Sequence, residues 1–256
     1  MESSNIRNIY HIQRHKIVIV VIGLCLAFTG KTSGQALNKP FYDYDRFIHF
    51  GFMIGFNYST IKYDFNPAIW PNHQNPRDTI LRVSSQGTAG FSLGAVCDLH
   101  LGAPKSFLRD HFDLRIIPTL VLTERDFYFT MRDSSVTEKQ IESAFVDAPV
   151  LLKMKSDRFG NIRFYVIGGA EYSYDLSSTA GAAINPADPK ISIYPNNVAY
   201  QFGAGLDMYF PFFKFSPEIK ISQGLNNVLV PQNTIYSNIF SRFRSNFIYF
   251  SMYFEG

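Results

Sequence analysis

From Phe47 to Ser59 large apolar side chains recur at every second position. Ile48, Phe50, Phe52, Ile54, Phe56 and Tyr58 form one series; His49, Gly51, Met53, Gly55, Asn57 and Ser59 form the other. A strand sends successive side chains to opposite faces, so this period of two makes one apolar face and one mostly small or polar face. An α-helix would scatter both series around its circumference. Gly51 and Gly55 have the spacing of a helix-pairing motif, but the strict alternation places them instead as small residues inside a barrel.

The same rhythm recurs along the chain. It predicts eight strands, over residues 47–59, 88–101, 112–122, 141–155, 161–176, 198–210, 213–223 and 244–254, the third extending toward Phe127–Phe129. In the second strand Ala89, Phe91, Leu93, Ala95, Cys97, Leu99 and Leu101 share the apolar face. In the last, Ile248, Phe250, Met252 and Phe254 take it, although Phe247, Tyr249 and Tyr253 stand opposite. Pro118 and Pro217 fall within strands. Proline cannot donate to a ladder, so a bulge or local distortion is expected at each.

The connections alternate in length. Residues 60–86, 123–140, 177–197 and 225–243 are long; 102–111 is shorter, and 156–160 and 211–212 are turns. Outer-membrane barrels have short periplasmic turns and longer external loops, and eight strands with both termini in the periplasm generate this order. A soluble sandwich has no reason to.

The distribution of charge selects the solvent. Charged residues make up 18% of the chain and aromatics 16%, against about 25% charged in ordinary globular chains. One face of each expected strand is almost uncharged over about ten residues, the length a tilted spanning strand needs. The other face carries Asp98, Asp113, Arg115, Asp147, Lys153, Arg163, Glu171, Asp207, Lys214, Glu218 and Lys220. Basic groups facing lipid cost about 2–4 kcal/mol each at the midplane, so these belong inside. A soluble barrel would put its apolar face inside. The fold class expected is therefore all-β: an eight-stranded antiparallel transmembrane outer-membrane β-barrel with short periplasmic turns and long external loops. Eight strands leave an interior just wide enough for side chains. With charges of both signs, a salt-bridged, closed interior is expected.

Residues 1–36 read as a signal peptide. Arg7, Arg14 and Lys16 precede an apolar run from Ile17 to Phe28, and Gly34 and Ala36 suit a cleavage site. The run is too short to span a bilayer as a helix. Residues 37–46 read as a periplasmic lead-in and residues 47–256 as the transmembrane barrel. Removing the signal takes away four bases and one acid and leaves 20 of each sign. The basic balance belongs to the signal, and nothing points to nucleic acid. Cys97 then stands without a second cysteine, so no internal disulfide is expected.

Candidate chemistry is sparse. His49 and His100 fall on the inner face, and Asp98 lies two residues from His100. A His–Asp pair has the makings of acid–base chemistry or half a metal site, but no metalloprotease helix motif, paired CxxC or nucleophile elbow accompanies it. Hydrogen-bonded interior histidines are the expectation. No catalytic, cofactor-binding or metal residues are assigned, and no cofactor or small-molecule substrate is expected. Tyr63, Phe65 and Trp70 fall in the first long loop, where aromatics anchor at membrane interfaces. Asp126, Asp133 and Asp188 are scattered over loops and make no calcium-loop pattern.

Several segments carry a resemblance. Ala148-Pro149-Val150-Leu151-Leu152-Lys153-Met154-Lys155-Ser156 leads through Arg158 and Asn161 into Arg163-Phe164-Tyr165-Val166-Ile167-Gly168-Gly169. Tyr42-Asp43-Tyr44-Asp45 precedes Phe50-Gly51-Phe52, and Phe212–Glu218, Gly224–Asn227 and the pair Arg115 and Pro118 follow the same pattern. Over most of the mature length the chain resembles the PorT family, outer-membrane barrels of the Bacteroidetes type IX secretion system. Ala148 and Phe164 depart from it, where a bulkier residue and a proline are expected. The resemblance implies a non-catalytic part in exporting cargo proteins to the cell surface and in gliding motility. Its partners would be other type IX components and outer-membrane lipid. The alternative is a binding or adhesion barrel acting through its external loops.

Overall fold

The computed structural model describes residues 47–67, 80–103, 106–178, 180, 191–232 and 234–256. The expected signal segment 1–36, the lead-in 37–46, Trp70 and Asp188 lie outside the described residues.

Nine strand segments appear among the described residues: β1 (Ile48–Phe65), β2 (Ile80–His100), β3 (Phe112–Ile116), β4 (Thr119–Met131), β5 (Val136–Lys155), β6 (Ile162–Asp175), β7 (Asn196–Tyr209), β8 (Lys214–Gly224) and β9 (Phe240–Glu255). Each pairs antiparallel with its neighbours, and β1 pairs with both β2 and β9, so the sheet closes on itself. Both β3 and β4 pair with β2 on one side and β5 on the other. They are two halves of one strand, and the ring has eight positions.

The break is where Pro118 was expected to distort the ladder. Ile117 and Pro118 lie between the halves, and the pairing register sets Pro149 of β5 against this gap. Two residues without N–H groups share one defect, so fewer donors are orphaned. The defect does not turn the strand over: Arg115, Ile117, Thr119 and Val121 all remain buried. Pro217 makes no bulge. It pairs with Met252 in an unbroken β8–β9 ladder, and only the rungs to Leu206 and Asp207 of β7 drop out.

Alternation places the faces as the sequence predicts. Asn57, Ser59, Asp98, Lys153 and Glu218 are buried, while Phe52, Phe56, Leu93, Val150 and Phe250 are exposed. In β9, Phe247, Tyr249 and Tyr253 turn inward and Ile248 and Phe250 outward. At the closing seam Gly55 admits β9: a Cβ there would lie 2.9 Å from the Phe250 carbonyl oxygen.

Of two expected long connections, one is largely strand and the other is strand at both ends. Residues 123–140 continue as the β4–β5 hairpin, paired from Thr130↔Val136 downward. It is closed at Arg132–Ser135, where the Asp133 carboxylate accepts from the Ser135 N–H and hydroxyl at 3.0 and 2.6 Å. Residues 60–86 lose both ends to β1 and β2. Alternation persists there, but its inward members are large and apolar, so the pattern of polar inside and apolar outside reverses. The turn at 102–111 contains a short helix, α1 (Phe107–His111), capped by Ser106. A second, α2 (Ile235–Asn238), lies before β9 and is capped by Thr234.

Candidate functional site

The strongest concentration of chemistry is inside the barrel, near the end that bears the short turns. Arg115 on β3 is fully buried. Its Nε and Nη2 donate to the two oxygens of Asp98, both at 2.6 Å. Nη2 also reaches Glu255 at 2.7 Å, and Nη1 lies 3.4 Å from Glu218. The guanidinium sits 4.7 Å from the ring centre of Tyr253 and 5.7 Å from that of Tyr165. The hydroxyls of Tyr165 and Tyr253 donate to the Glu218 carboxylate, at 2.8 and 2.7 Å respectively. One planar fork therefore joins strands from opposite parts of the ring, as arginine geometry permits and lysine geometry does not.

Further pairs complete this layer. Lys153 donates to Asp207 at 2.9 Å, beside Ser216, which donates to the same oxygen at 2.6 Å. Lys214 lies 2.8 Å from Glu255. Lys155 donates to Asp113 at 2.8 Å, and the His100 ring nitrogen meets that oxygen at 2.5 Å. Charges removed from water demand such partners, because an isolated buried ion costs several kcal/mol.

His100 is a hydrogen-bonded interior histidine, as expected, but its partner is Asp113 and the candidate pair with Asp98 does not form. Residues two apart on a strand share a face but stand well apart, whereas cross-strand partners meet. In the β2–β3 register His100 faces Asp113 and Asp98 faces Arg115, and each pair bonds. His49 does join His100, its ring centroid 4.6 Å away in an edge-on arrangement. Among the described residues no group of three His, Cys, Asp or Glu converges as a metal site.

Above this layer lie Met53, Val96, Ile117, Leu151, Tyr165, Ile167 and Tyr253, packed as an apolar septum. A second polar belt follows. The carboxylate of Glu171 accepts from Ser173 and Ser222 at 3.1 and 3.2 Å and from Gln201. Arg125 donates from Nε to Ser59 at 2.7 Å and lies between the rings of Phe145 and Phe247, 5.1 and 5.3 Å from their centres.

At the loop end the closed interior expected from sequence is apolar, not salt-bridged. Ile61, Val83, Phe127, Phe129, Met131, Phe240 and Phe243 point inward there and form one apolar cluster. Phe127 stacks on Phe243 at 5.4 Å, and Phe129 meets Tyr236 of α2 edge-on at 4.9 Å. Segments 191–193 and 228–230 close over it, linked by the Ile193↔Leu229 bridge. Tyr63 and Phe65, expected at the membrane interface, pack against this plug. Each aromatic pair adds about 0.5–1.5 kcal/mol beyond its buried area.

The outer wall defines the membrane. From Ala144 to Met154 the outward residues of β5 carry no charge. Ten steps at about 3.4 Å, tilted about 40°, make an apolar band about 26 Å tall. Tyr58, Tyr172, Tyr174 and Tyr200 edge it toward the loops, and Tyr172 and Tyr200 donate to Asn196 and Gln223 at 2.6 and 2.7 Å. Phe50, Phe164, Phe210, Phe212 and Phe213 edge it toward the turns. Such paired aromatic girdles are the mark of transmembrane barrels. Cys97 lies on this wall, between the cross-strand partners Phe50 and Ile116. Arg115 was legible in sequence as an inward charge. Glu255 and the aromatic plug were not, since strand endings and inward-facing phenylalanines carry no sign of their partners.

The family comparison agrees with this architecture. Residues 34–230 match the family model described as an outer membrane protein beta-barrel domain. Among solved structures the chain is similar to the outer membrane protein OprG from Pseudomonas aeruginosa, at 10% identity and a TM-score of 0.39, covering 82% of this chain and 91% of that one. No curated protein matches the sequence.

Proposed function

This chain belongs to the outer-membrane β-barrel domain family, and on that premise we propose that it serves as a non-catalytic component of a type IX secretion apparatus. In this reading it acts through partner proteins and does not conduct cargo. The observation that carries the second half is the filled interior: a charged layer around Arg115 at one end and an aromatic plug around Phe127 at the other. A barrel of eight strands has no room for folded cargo even when empty. The first half rests on the resemblance of residues 148–169 and 212–218 to the PorT family.

The same reading has residues 1–36 removed on export, residues 37–46 leading in from the periplasm, and both chain ends on the periplasmic side. The short connections at 156–161 and 210–213 lie at the same barrel end as Ile48 and Glu255, which supports that orientation. Partners would be other type IX components, met at the loops, at the turns or through the lipid-facing wall.

The test is a clean deletion strain in which a type IX cargo is followed by fractionation and immunoblot. Periplasmic accumulation, reversed by the intact gene, is the expected result. Normal cargo release in the deletion strain would overturn the reading.

A second reading, a binding barrel acting through its external face, draws on the β4–β5 hairpin. Glu124 there stands directly opposite Glu142, with Asp126 and Glu138 close by. Like charges in direct register weaken a ladder, so the arrangement calls for a reason beyond folding. Neutralising only the outward acids, as E124Q/D126N/E138Q/E142Q, would then abolish binding of a basic partner while secretion continues.

A further inference from the structure

The outer wall above the apolar band differs in charge around the ring. The β4–β5 side is acidic, with Glu124, Asp126, Glu138 and Glu142. The closing seam between β1 and β9 is basic. Lys62 stands opposite Arg244, and Arg242 opposite Asp64. Two cations in direct register repel one another. Asp64 offsets only part of this, at 3.5 Å from Arg244 Nη2 with both side chains open to solvent. Arg244 Nε has no hydrogen-bond partner among the described residues.

Height along the barrel gives these cations a counterpart. The last outward apolar pair on the seam is Tyr58 with Ile248, followed by Thr60 with Asn246 and then Lys62 with Arg244. Each step of two residues climbs about 5 Å along the axis at about 40° of tilt. Lys62 and Arg244 therefore root about 10 Å above the hydrocarbon edge, beyond a headgroup layer about 5–8 Å deep. Long basic side chains bend back toward such a layer with their stems along apolar surface.

We propose that Lys62, Arg242 and Arg244 form a binding site for a phosphate-bearing lipid headgroup of the surrounding leaflet. Guanidinium forks match phosphate oxygens two at a time, and Lys62 adds a point charge. The acidic β4–β5 side repels the same headgroup, so bound lipid is ordered on the seam side alone. The site needs only the barrel's placement in a membrane and stands whether or not the secretion reading does.

The purified full chain is placed in nanodiscs of phosphatidylcholine doped with phosphatidic acid, and retained lipid is counted by native mass spectrometry. A triple variant, K62Q/R242Q/R244Q, is compared with R132Q, which removes a cation from the distant hairpin turn. Each net cation near a lipid surface gives about a fivefold preference, so two give about 25-fold enrichment of phosphatidic acid. That enrichment is expected for the wild type and R132Q and is lost in the triple variant. Heat-modifiable gel mobility shows that all three are folded. Equal enrichment in the triple variant would overturn the proposal. So would displacement of the lipid by millimolar inorganic phosphate, which would mark a site for free anions instead.

Discussion

Arg115 Nη2 lies 2.7 Å from the Glu255 carboxylate although 140 residues separate them in the chain. The bond ties the third strand position to the last and forms only when the ring is closed. Because the same guanidinium holds Asp98 and approaches Glu218, removing it leaves three buried carboxylates short of charge. R115M should destabilise the barrel by about 3–5 kcal/mol, the range for breaking one side of a buried ion pair. R115K should lose less, about 1–3 kcal/mol, since a charge remains but the fork on Asp98 does not. Urea unfolding in micelles, read by heat-modifiable mobility, measures both. Equal stability of R115M and wild type would show that the network is dispensable.

The plug is a separate unit of packing. F127A removes a ring that stacks on Phe243 and Phe129 and meets Phe240 and Tyr63. A loss of about 3–5 kcal/mol is expected for burying Ala in place of Phe. It should be felt locally, as faster amide exchange in the β4–β5 hairpin, while exchange near Arg115 is unchanged. Uniformly faster exchange throughout the barrel would mean that the two layers are one cooperative unit.

Cys97 reports on the wall. It is partly exposed on the outward face of β2. In a C25S background, a nitroxide attached at Cys97 in bilayers should be relaxed by dissolved oxygen and shielded from a water-soluble nickel complex. The reverse preference would place this face against water.

On the external hairpin, partial loss of solvent and the carboxylates of Asp126, Glu142 and Glu138 raise the Glu124 carboxyl above the usual carboxylate range. Because its folded pKa lies above the unfolded one, protonation favours the folded hairpin. Hairpin stability should therefore rise as pH falls through the Glu124 titration and decline again above it. E142Q removes the directly opposed charge and should bring Glu124 back toward the ordinary value. Carbon-13 titration of the side-chain carboxyl reads both, and an unmoved midpoint in E142Q would refute the pairing.

Much of this architecture was legible in the sequence because alternation survives wherever one face meets lipid. Ile48 to Tyr58 and Ala144 to Met154 are unambiguous for that reason. Legibility failed where the inside also turned apolar. The strand extension toward Phe127–Phe129 was legible, but the return strand from Val136 to Gln140 was read as connection, and the inward phenylalanines carried no sign of the plug they build. The buried, hydrogen-bonded state of His100 was legible, but its partner was not. Spacing along one strand suggested Asp98 for His100, whereas the partner, Asp113, is set by register with the next strand. Register depends on both strands together, and no single segment contains it. The split at Ile117–Pro118 was visible as a proline, but its tolerance depends on Pro149 lying across the gap.

The central claim is that the interior is closed at two levels, and single-channel recording in planar bilayers tests it most directly. Wild-type protein whose insertion is verified by heat-modifiable mobility should add no current steps, and F127A should add none either, because the layer around Arg115 still fills the other end. Stable, repeated openings in the wild type would contradict the account and return the barrel to the class of conducting pores.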